Sequence, residues 1–290
     1  MDRLSFLTEL DSKVVFSHPS LSAFRCGGNI GAVIFPTDKW ELIQAVDLLK
    51  RAGENYKIIA NGTNVLIKDE GIDGVVICTK ELKGIECNEN VLYVNAGESL
   101  PKFAKLALER GLSGLEGLCS IPGTIGGGIA MNCSAYGRQI ADVIEYVDIL
   151  VDGEIERIKA CNMDFSYRHS CLKERGIAIG ACIELSRGNR NIIARDMMAY
   201  RLARQKSQPS GISLGSTFKK AGEVSAGYYI DKAGLKGMKI GGAKISEKHA
   251  NFILNTGNAT ASDFLELGNY ARQEVDKLFD IKLQYEVDIF

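Results

Sequence analysis

Apolar and polar positions along the chain alternate between two periods. Gly31–Pro36 is a short apolar run that reads as a strand. Leu42, Val46 and Leu49 then recur at helical spacing behind Thr37 or Asp38, either of which can cap a helix, and Gly53 is placed to close it. Lys57–Ala60 returns to the strand pattern, which Val65–Ile67 and Val75–Cys78 continue. Residues 1–79 are therefore expected to form a β-α-β module with further strands.

A second module, 80–190, begins with a strand at Val91–Asn95. Ser99 caps a helix that sets Leu100, Phe103, Ala104, Ala107 and Leu108 on one face, and Gly111 stops it. Gly114–Gly137 follows as a glycine-rich stretch without a period. Val143–Val151 and Glu154–Ile158 flank Asp152-Gly153, a strong hairpin signal, and Ile177–Leu185 is a further strand. This module reads as α+β. Asn189–Lys206 is a polar helix or linker, and the boundary of a third module, 191–290, falls there. That module shows a helix at Ser225–Ala233 and strands at Lys239–Ile245 and Asn251–Leu254. A long amphipathic helix, Ser262–Phe279, opens on Ser262 and Asp263, and a terminal strand spans Leu283–Ile289. No repeat of 20–50 residues interrupts this order.

Composition narrows the class. The 290 residues are 46% apolar and 24% charged, as in folded globular chains. With 35 basic and 36 acidic residues the net charge is −1, so no global field draws nucleic acid or an anionic membrane, although a local basic cluster can still bind a small anion. No apolar run reaches the ~20 residues of a membrane span. The start, Met1-Asp2-Arg3-Leu4-Ser5, carries no secretory apolar region, and a cytoplasmic protein is expected. The eight cysteines are scattered without a Cys-x-x-Cys pair and there are three histidines, so no metal site is expected and most thiols are expected to be reduced and buried.

The 31 glycines gather in a few loops. Two apolar strands flank the turn Asn61-Gly62-Thr63-Asn64, with Val65 opening the second. Gly and Asn accept φ > 0, so successive N–H groups there can converge on a phosphate; the same residues also make an ordinary β-turn. Ser120-Ile121-Pro122-Gly123-Thr124-Ile125-Gly126-Gly127-Gly128 carries three adjacent glycines at a high entropic cost. That cost points to something approaching the backbone closely, with a flexible loop as the plain alternative. The segment matches neither the dinucleotide G-x-G-x-x-G pattern nor a P-loop. Small residues in Met131-Asn132-Cys133-Ser134-Ala135-Tyr136-Gly137 admit a flat ligand or a helix seam. In Tyr167-Arg168-His169-Ser170, Arg168 can grip a carboxylate bidentately or sit on the surface. Ser216, within Leu214–Lys219, is a proton donor or nucleophile in form. Its Ser-x-x-Lys spacing lacks the companion elements of serine acyl-transfer enzymes and reads as coincidence. Lys236, between Gly234 and Gly237, can reach a phosphate or stay solvated. Lys248-His249-Ala250-Asn251-Phe252 leads into a strand, and Glu286 alternates in the last one, facing a cleft or solvent.

Taken in this order and spacing, the motifs from about residue 22 to 287 resemble the UDP-N-acetylenolpyruvoylglucosamine reductase family. The resemblance implies an α+β chain: a two-module FAD-binding domain of the vanillyl-alcohol-oxidase (PCMH) type plus a C-terminal α/β substrate domain. It implies non-covalent FAD, NADPH as reductant, and UDP-N-acetylglucosamine enolpyruvate as the substrate, reduced to UDP-N-acetylmuramate for peptidoglycan. It further implies a cytoplasmic monomer with no nucleic-acid, membrane or metal partner. FAD would meet Asn61, Gly62, Thr63, Asn64, Val65, Ile121, Pro122, Gly123, Thr124, Gly126, Gly127, Asn132, Ala135 and Gly137. Its pyrophosphate would rest on the Asn61–Asn64 turn and its ring on the backbone of 122–127, where side chains would collide with the cofactor. Tyr167, Lys236 and His249 would hold the substrate, Lys236 at the diphosphate. Hydride would enter at C3; Arg168 would bind the substrate carboxylate, Glu286 would be its acidic partner, and Ser216 would protonate C2. The short segment between Arg168 and Ser216 implies the subtype without the loop that brings a tyrosine to the substrate. Two alternatives compete. Another flavoprotein oxidoreductase of this fold would lack the Ser216–Lys219, Lys236 and His249–Asn251 pattern. A non-catalytic sensor would tolerate the loss of Ser216, Arg168 and Glu286.

Overall fold

A computed structural model describes residues 3–290. The chain forms two compact units, each assembled from three separate stretches. Unit 1 comprises residues up to Phe16, Ala32–Asn61 and Gly74–Arg204; unit 2 comprises Ser17–Gly31, Gly62–Asp73 and Gln205–Phe290.

In chain order the first elements are β1 (Lys13–His18), β2 (Ile30–Phe35), α1 (Lys39–Ala52), β3 (Tyr56–Ile59), β4 (Val65–Leu66) and β5 (Ile72–Cys78). Asp38 caps α1 by accepting from the N–H groups of Trp40 and Glu41, and Gly53 ends it in the left-handed region at φ +64°. Leu42, Ala45, Val46 and Leu49 form its buried face, as the helical spacing predicts. Strand order is β1-β2-β5-β3, with β3 and β5 parallel. The core of this sheet joins Ala32, Ile34, Leu42 and Leu49 to Leu150, Ile177 and Ile179 of the following module.

Next come β6 (Ile85–Asn88), β7 (Val91–Asn95), α2 (Leu100–Arg110), β8 (Leu112–Ser113), α3 (Ile125–Ala130), β9 (Ser134–Ala135) and β10 (Arg138–Gln139). They are followed by β11 (Ile144–Val151), β12 (Glu154–Lys159), α4 (Leu172–Arg175), β13 (Ile177–Glu184), β14 (Ser186–Arg187) and α5 (Arg190–Ser207). A five-stranded antiparallel sheet, β12-β11-β13-β7-β6, carries the largest core, with α2 and α3 packed on it through Phe103, Ala107, Ile125 and Ile129. The Asp152-Gly153 hairpin forms as expected, pairing Val151 with Glu154. The stretch 114–137, read as a loop, holds α3 and β9, which pairs with β10 immediately after it. Capping and burial override the low helix propensity of its glycines.

Unit 2 is completed by α6 (Ala226–Lys232), β15 (Lys239–Ile240), β16 (Ala243–Ile245), β17 (Ile253–Asn255), α7 (Ala261–Phe279) and β18 (Asp288–Ile289). α7 buries Phe264, Leu267, Ala271 and Val275; it begins at Ala261, one residue before the expected Ser262, and its cap is Thr260, in a capping box with Asp263. Phe24 and Leu66 belong to the same core as Phe218, Ile230 and Phe264. The expected terminal strand narrows to β18, which pairs in parallel with β4. All eight cysteines are free; Cys78, Cys133, Cys171 and Cys182 are buried, and Cys87 and Cys161 are exposed. Among the described residues no helix is long and apolar enough to cross a membrane.

Candidate active site

The turn after β3 carries the first group of expected cofactor residues. Gly62 is left-handed, and a Cβ there would lie 1.9 Å from the Leu21 carbonyl oxygen, so only glycine fits. Asn64 donates its side-chain N–H to the Glu286 carbonyl at 2.9 Å and accepts from the Asp288 N–H at 2.9 Å. Val65 is buried in β4. Among the described residues, no acceptor is recorded for the peptide N–H groups of Asn61 and Gly62. Two adjacent free donors beside a left-handed glycine make a nest for an anion.

The second group opens α3. Thr124 caps it by accepting from the Gly127 N–H at 3.2 Å. Ile125 and Gly126 donate to the carbonyls of Glu98 and Ala96 at 2.8 Å each, and the Gly123 carbonyl accepts from Leu100. Ile121 donates to Leu118 and is half-buried; Pro122 is exposed. A Cβ on Gly126 would meet the Ala96 Cβ at 2.9 Å, and one on Gly128 would meet the Cys133 sulfur at 3.1 Å. At Gly62 and Gly126 the chain's own atoms already exclude a side chain, and at Gly128 a Cβ would press on the Cys133 sulfur. Gly127 differs. It is half-buried, and a Cβ there would make only ordinary contacts, with Thr124 Oγ1 at 3.4 Å and Ala60 Cβ at 3.7 Å. Within unit 1, Ala60, the residue just before the turn, thus lies beside Gly127.

The third group surrounds Arg168. Asn132 is left-handed at φ +38° and buried. Its amide donates to Gln139 Oε1 and to the Ser166 carbonyl at 3.1 Å each, and accepts from the Ala141 N–H at 3.3 Å. Asn132 therefore ties the end of α3 to the Ser166–His169 turn, with both amide protons committed inside the protein. At that turn Arg168 is left-handed, at φ +57°. Its guanidinium donates to Ser134 Oγ at 2.9 Å and lies 5.1 Å from the Tyr167 ring. Ala135 is in β9; Tyr136, left-handed and exposed, stacks on Tyr200 at 4.6 Å; Gly137 has open space where a Cβ would be. Three left-handed non-glycine residues within one site store strain of about 1–3 kcal/mol each, as functional sites do.

Unit 2 holds the remaining residues. Gly215 is left-handed and Ser216 follows it, half-buried. Glu286 donates its N–H to the Thr217 carbonyl at 2.8 Å, and Lys219 donates to the Gln284 carbonyl at 2.9 Å, so the Ser216 and Glu286 segments run side by side. The Phe218 and Tyr285 rings pack at 4.9 Å. Lys236 pairs with Asp231 at 2.6 Å. The His249 pKa is pushed below its ordinary value by burial, and the nearby Lys236 charge acts in the same direction. Its Nδ1 accepts from the Asn251 N–H at 3.3 Å, which leaves the proton of the neutral ring on Nε2. Ser216 is thus grouped with Glu286, and Lys236 with His249; Arg168 and Tyr167 belong to unit 1. Sequence reasoning did not single out Ser134, which anchors Arg168, or Asn251, which binds the Ser216 segment.

Residues 30–159 match the FAD binding domain family, and residues 207–290 match the C-terminal domain of UDP-N-acetylenolpyruvoylglucosamine reductase. The reductase of Caldanaerobacter subterraneus subsp. tengcongensis is 40% identical over 92% of this chain and 90% of its own length. That of Lactobacillus acidophilus is 40% identical over 91% of this chain and 90% of its own length. The crystal structure of the Thermus caldophilus reductase superposes with a TM-score of 0.84 at 32% identity, covering 97% of this chain and 99% of that one. Berberine bridge enzyme from Eschscholzia californica shares the fold alone, with a TM-score of 0.51 at 17% identity over 65% of this chain and 44% of that one. The fold and its nest define a FAD-binding oxidoreductase built as a flavin domain of the vanillyl-alcohol-oxidase type plus a second domain. Within that class, the chain belongs to the UDP-N-acetylenolpyruvoylglucosamine reductase family.

Proposed function

We propose that this chain catalyses the FAD-dependent, NADPH-driven reduction of UDP-N-acetylglucosamine enolpyruvate to UDP-N-acetylmuramate, a step of peptidoglycan precursor synthesis. The residues fit the cofactor: the free amides of Asn61 and Gly62 suit its pyrophosphate, and the unobstructed face of Gly127 suits a flat ring. When bound, FAD would be held by the Asn61–Asn64 turn and the backbone around Gly127, and would supply the hydride chemistry that links NADPH to the enol ether.

The protein handles the charge and the proton. Hydride at C3 leaves negative charge on C2 and its carboxylate. Arg168, held in place by Ser134, is assigned to that carboxylate and to the developing charge. Glu286 is assigned to the acidic position beside the reacting carbon. Ser216 gives its proton to C2; a positioned hydroxyl beside an enolate carbon can act where a free one would not. Lys236 neutralises the substrate diphosphate, and Tyr167 and neutral His249 line the substrate.

One observation carries the role assignment: the Ser216 and Glu286 segments are hydrogen-bonded neighbours, Glu286 N–H to Thr217 O at 2.8 Å, although 70 residues separate them (286 less 216). The test is spectroscopic. The purified protein should be yellow, NADPH should bleach it without air, and the enolpyruvyl UDP-sugar should restore the colour. Ser216→Ala should bleach normally and recover on the order of 10²–10⁴-fold more slowly. Recovery at the original rate would remove Ser216 as the donor.

A further inference from the structure

We propose that Asn251 is the positioning residue for Ser216, its side-chain amide standing in for the missing neighbour strand of the Ser216 segment. The proposal rests on the reading of Ser216 as proton donor.

In an antiparallel pair, alternate residues turn their N–H and C=O away from the partner strand. Phe218 and Tyr285 form such a pair, since the flanking bonds run from Glu286 N–H to Thr217 O and from Lys219 N–H to Gln284 O. The N–H and C=O of Phe218 therefore face outward, at a residue only 2% exposed, where an unpaired donor or acceptor is costly. Asn251 satisfies both: its Oδ1 accepts the Phe218 N–H at 3.0 Å and its Nδ2 donates to the Phe218 O at 2.8 Å. Its own carbonyl accepts the Thr217 N–H at 2.8 Å. Three bonds thus fix the two residues that follow Ser216.

On the other side, no hydrogen bond of Gly215 is recorded among the described residues. Gly215 is left-handed and no atom lies within 4 Å of where its Cβ would be. Ser216 is placed from its C-terminal side, by Asn251 and the 284–286 segment. Through its N–H, Asn251 also fixes the acceptor nitrogen of His249, so one buried residue sets both groups. A displacement of about 1 Å at a reacting group can cost on the order of 10²-fold in rate.

The experiment uses the holoenzyme of Asn251→Ala, with Ser216→Ala alongside. Flavin reduction by NADPH, reoxidation by the enolpyruvyl UDP-sugar, and hydrogen exchange at the Phe218 amide are followed separately. Asn251→Ala is expected to keep its flavin and its reduction rate, to reoxidise on the order of 10²-fold more slowly, and to show an enlarged solvent deuterium isotope effect on that step. The Phe218 amide should exchange about tenfold faster or more. Reoxidation at the original rate overturns the proposal. So does equal slowing of both half-reactions with loss of flavin, which would mark a residue that only packs. If Asn251→Ala does not fold, Asn251→Gln carries the test: it keeps both polar groups, displaced by one methylene, and the same selective slowing is expected. Ser216→Ala separates the two failures. Fast reoxidation in that variant ends the donor reading and the proposal with it, whereas slow Ser216→Ala beside fast Asn251→Ala ends the positioning role alone.

Discussion

Asp69 stands far from α7 in sequence yet serves as an added cap to it. Its carboxylate accepts from the N–H groups of Ala261 and Ser262 at 2.8 Å each, and from the Ser262 hydroxyl at 2.7 Å. Burial opposes its charge, but these bonds outweigh burial, and the Asp69 carboxyl titrates below its ordinary value of 3.8. The unfolded chain therefore binds the proton at higher pH than the folded one does. The stability this group contributes is complete above the ordinary value and is lost as pH falls through the lower, folded value. Asp69→Asn should lower the thermal midpoint at neutral pH by the equivalent of about 1 kcal/mol, and should flatten the decline of stability between about pH 5 and about pH 2. Melting curves of the two proteins across that range check this; parallel declines would show that Asp69 is not the titrating cap. Asp69 and Asn251 share a lesson about reading sequences. A short polar side chain announces a cap or a turn only to neighbours a few residues away, and the partners of these two lie 192 and 33 residues off. The assignment of Ser216, Arg168 and Glu286 rests on the order of motifs around them; Asp69 and Asn251 have no local pattern to betray their partners.

The elements that were legible are those whose determinants are local. Asp38 to Gly53 and Ser99 to Gly111 bracket helices with a cap at each end, and Asp152-Gly153 fixes a hairpin. α3 was not legible, because Ile125-Gly126-Gly127-Gly128 has almost no intrinsic helix preference and the helix is held by Thr124 and by burial of Ile125 and Ile129. The glycines in α3 separate packing from ligand binding in a way that can be measured. A Cβ at 126 would press on Ala96, so Gly126→Ala should destabilise the protein by about 1–3 kcal/mol, with or without flavin. A Cβ at 127 would make only ordinary contacts, and alanine is the better helix former by about 1 kcal/mol. Gly127→Ala should hold or raise the melting temperature of the flavin-free protein while weakening FAD binding about tenfold or more, by loss of close backbone approach. Flavin titration and melting of both variants decide the matter. Unchanged FAD affinity in Gly127→Ala would take that glycine out of the cofactor site.

At the scale of the molecule, unit 2 is not a contiguous tail. Phe24 is fully buried, meets the Phe264 ring edge-on at 5.0 Å, and offers its carbonyl to Asn255 Nδ2 at 2.8 Å. Leu66 fills the same core, β4 supplies the parallel partner of β18, and Asp69 caps α7. All of these come from residues 17–31 and 62–73, which precede the segment 205–290 by more than 130 residues (205 less 73 is 132). A pattern read in windows sees strands there but not their destination, because two-residue strands such as β4 and β18 have no period of their own. The consequence is physical. A polypeptide of residues 205–290 lacks a large buried aromatic, a strand partner and a helix cap, and below about 100 residues a core has little stability in reserve. Expressed alone, it should show no cooperative melting transition and rapid exchange of the α7 amides. In the full chain, Phe24→Ala should cost about 3–5 kcal/mol, although the substitution lies 181 residues before the third stretch of the unit begins (205 less 24). A sigmoidal melt and protected α7 amides in the isolated fragment would mean that the C-terminal stretch folds by itself; their absence, together with the Phe24 effect, would mean that unit 2 exists only once the chain from residue 17 onward has contributed its two early stretches.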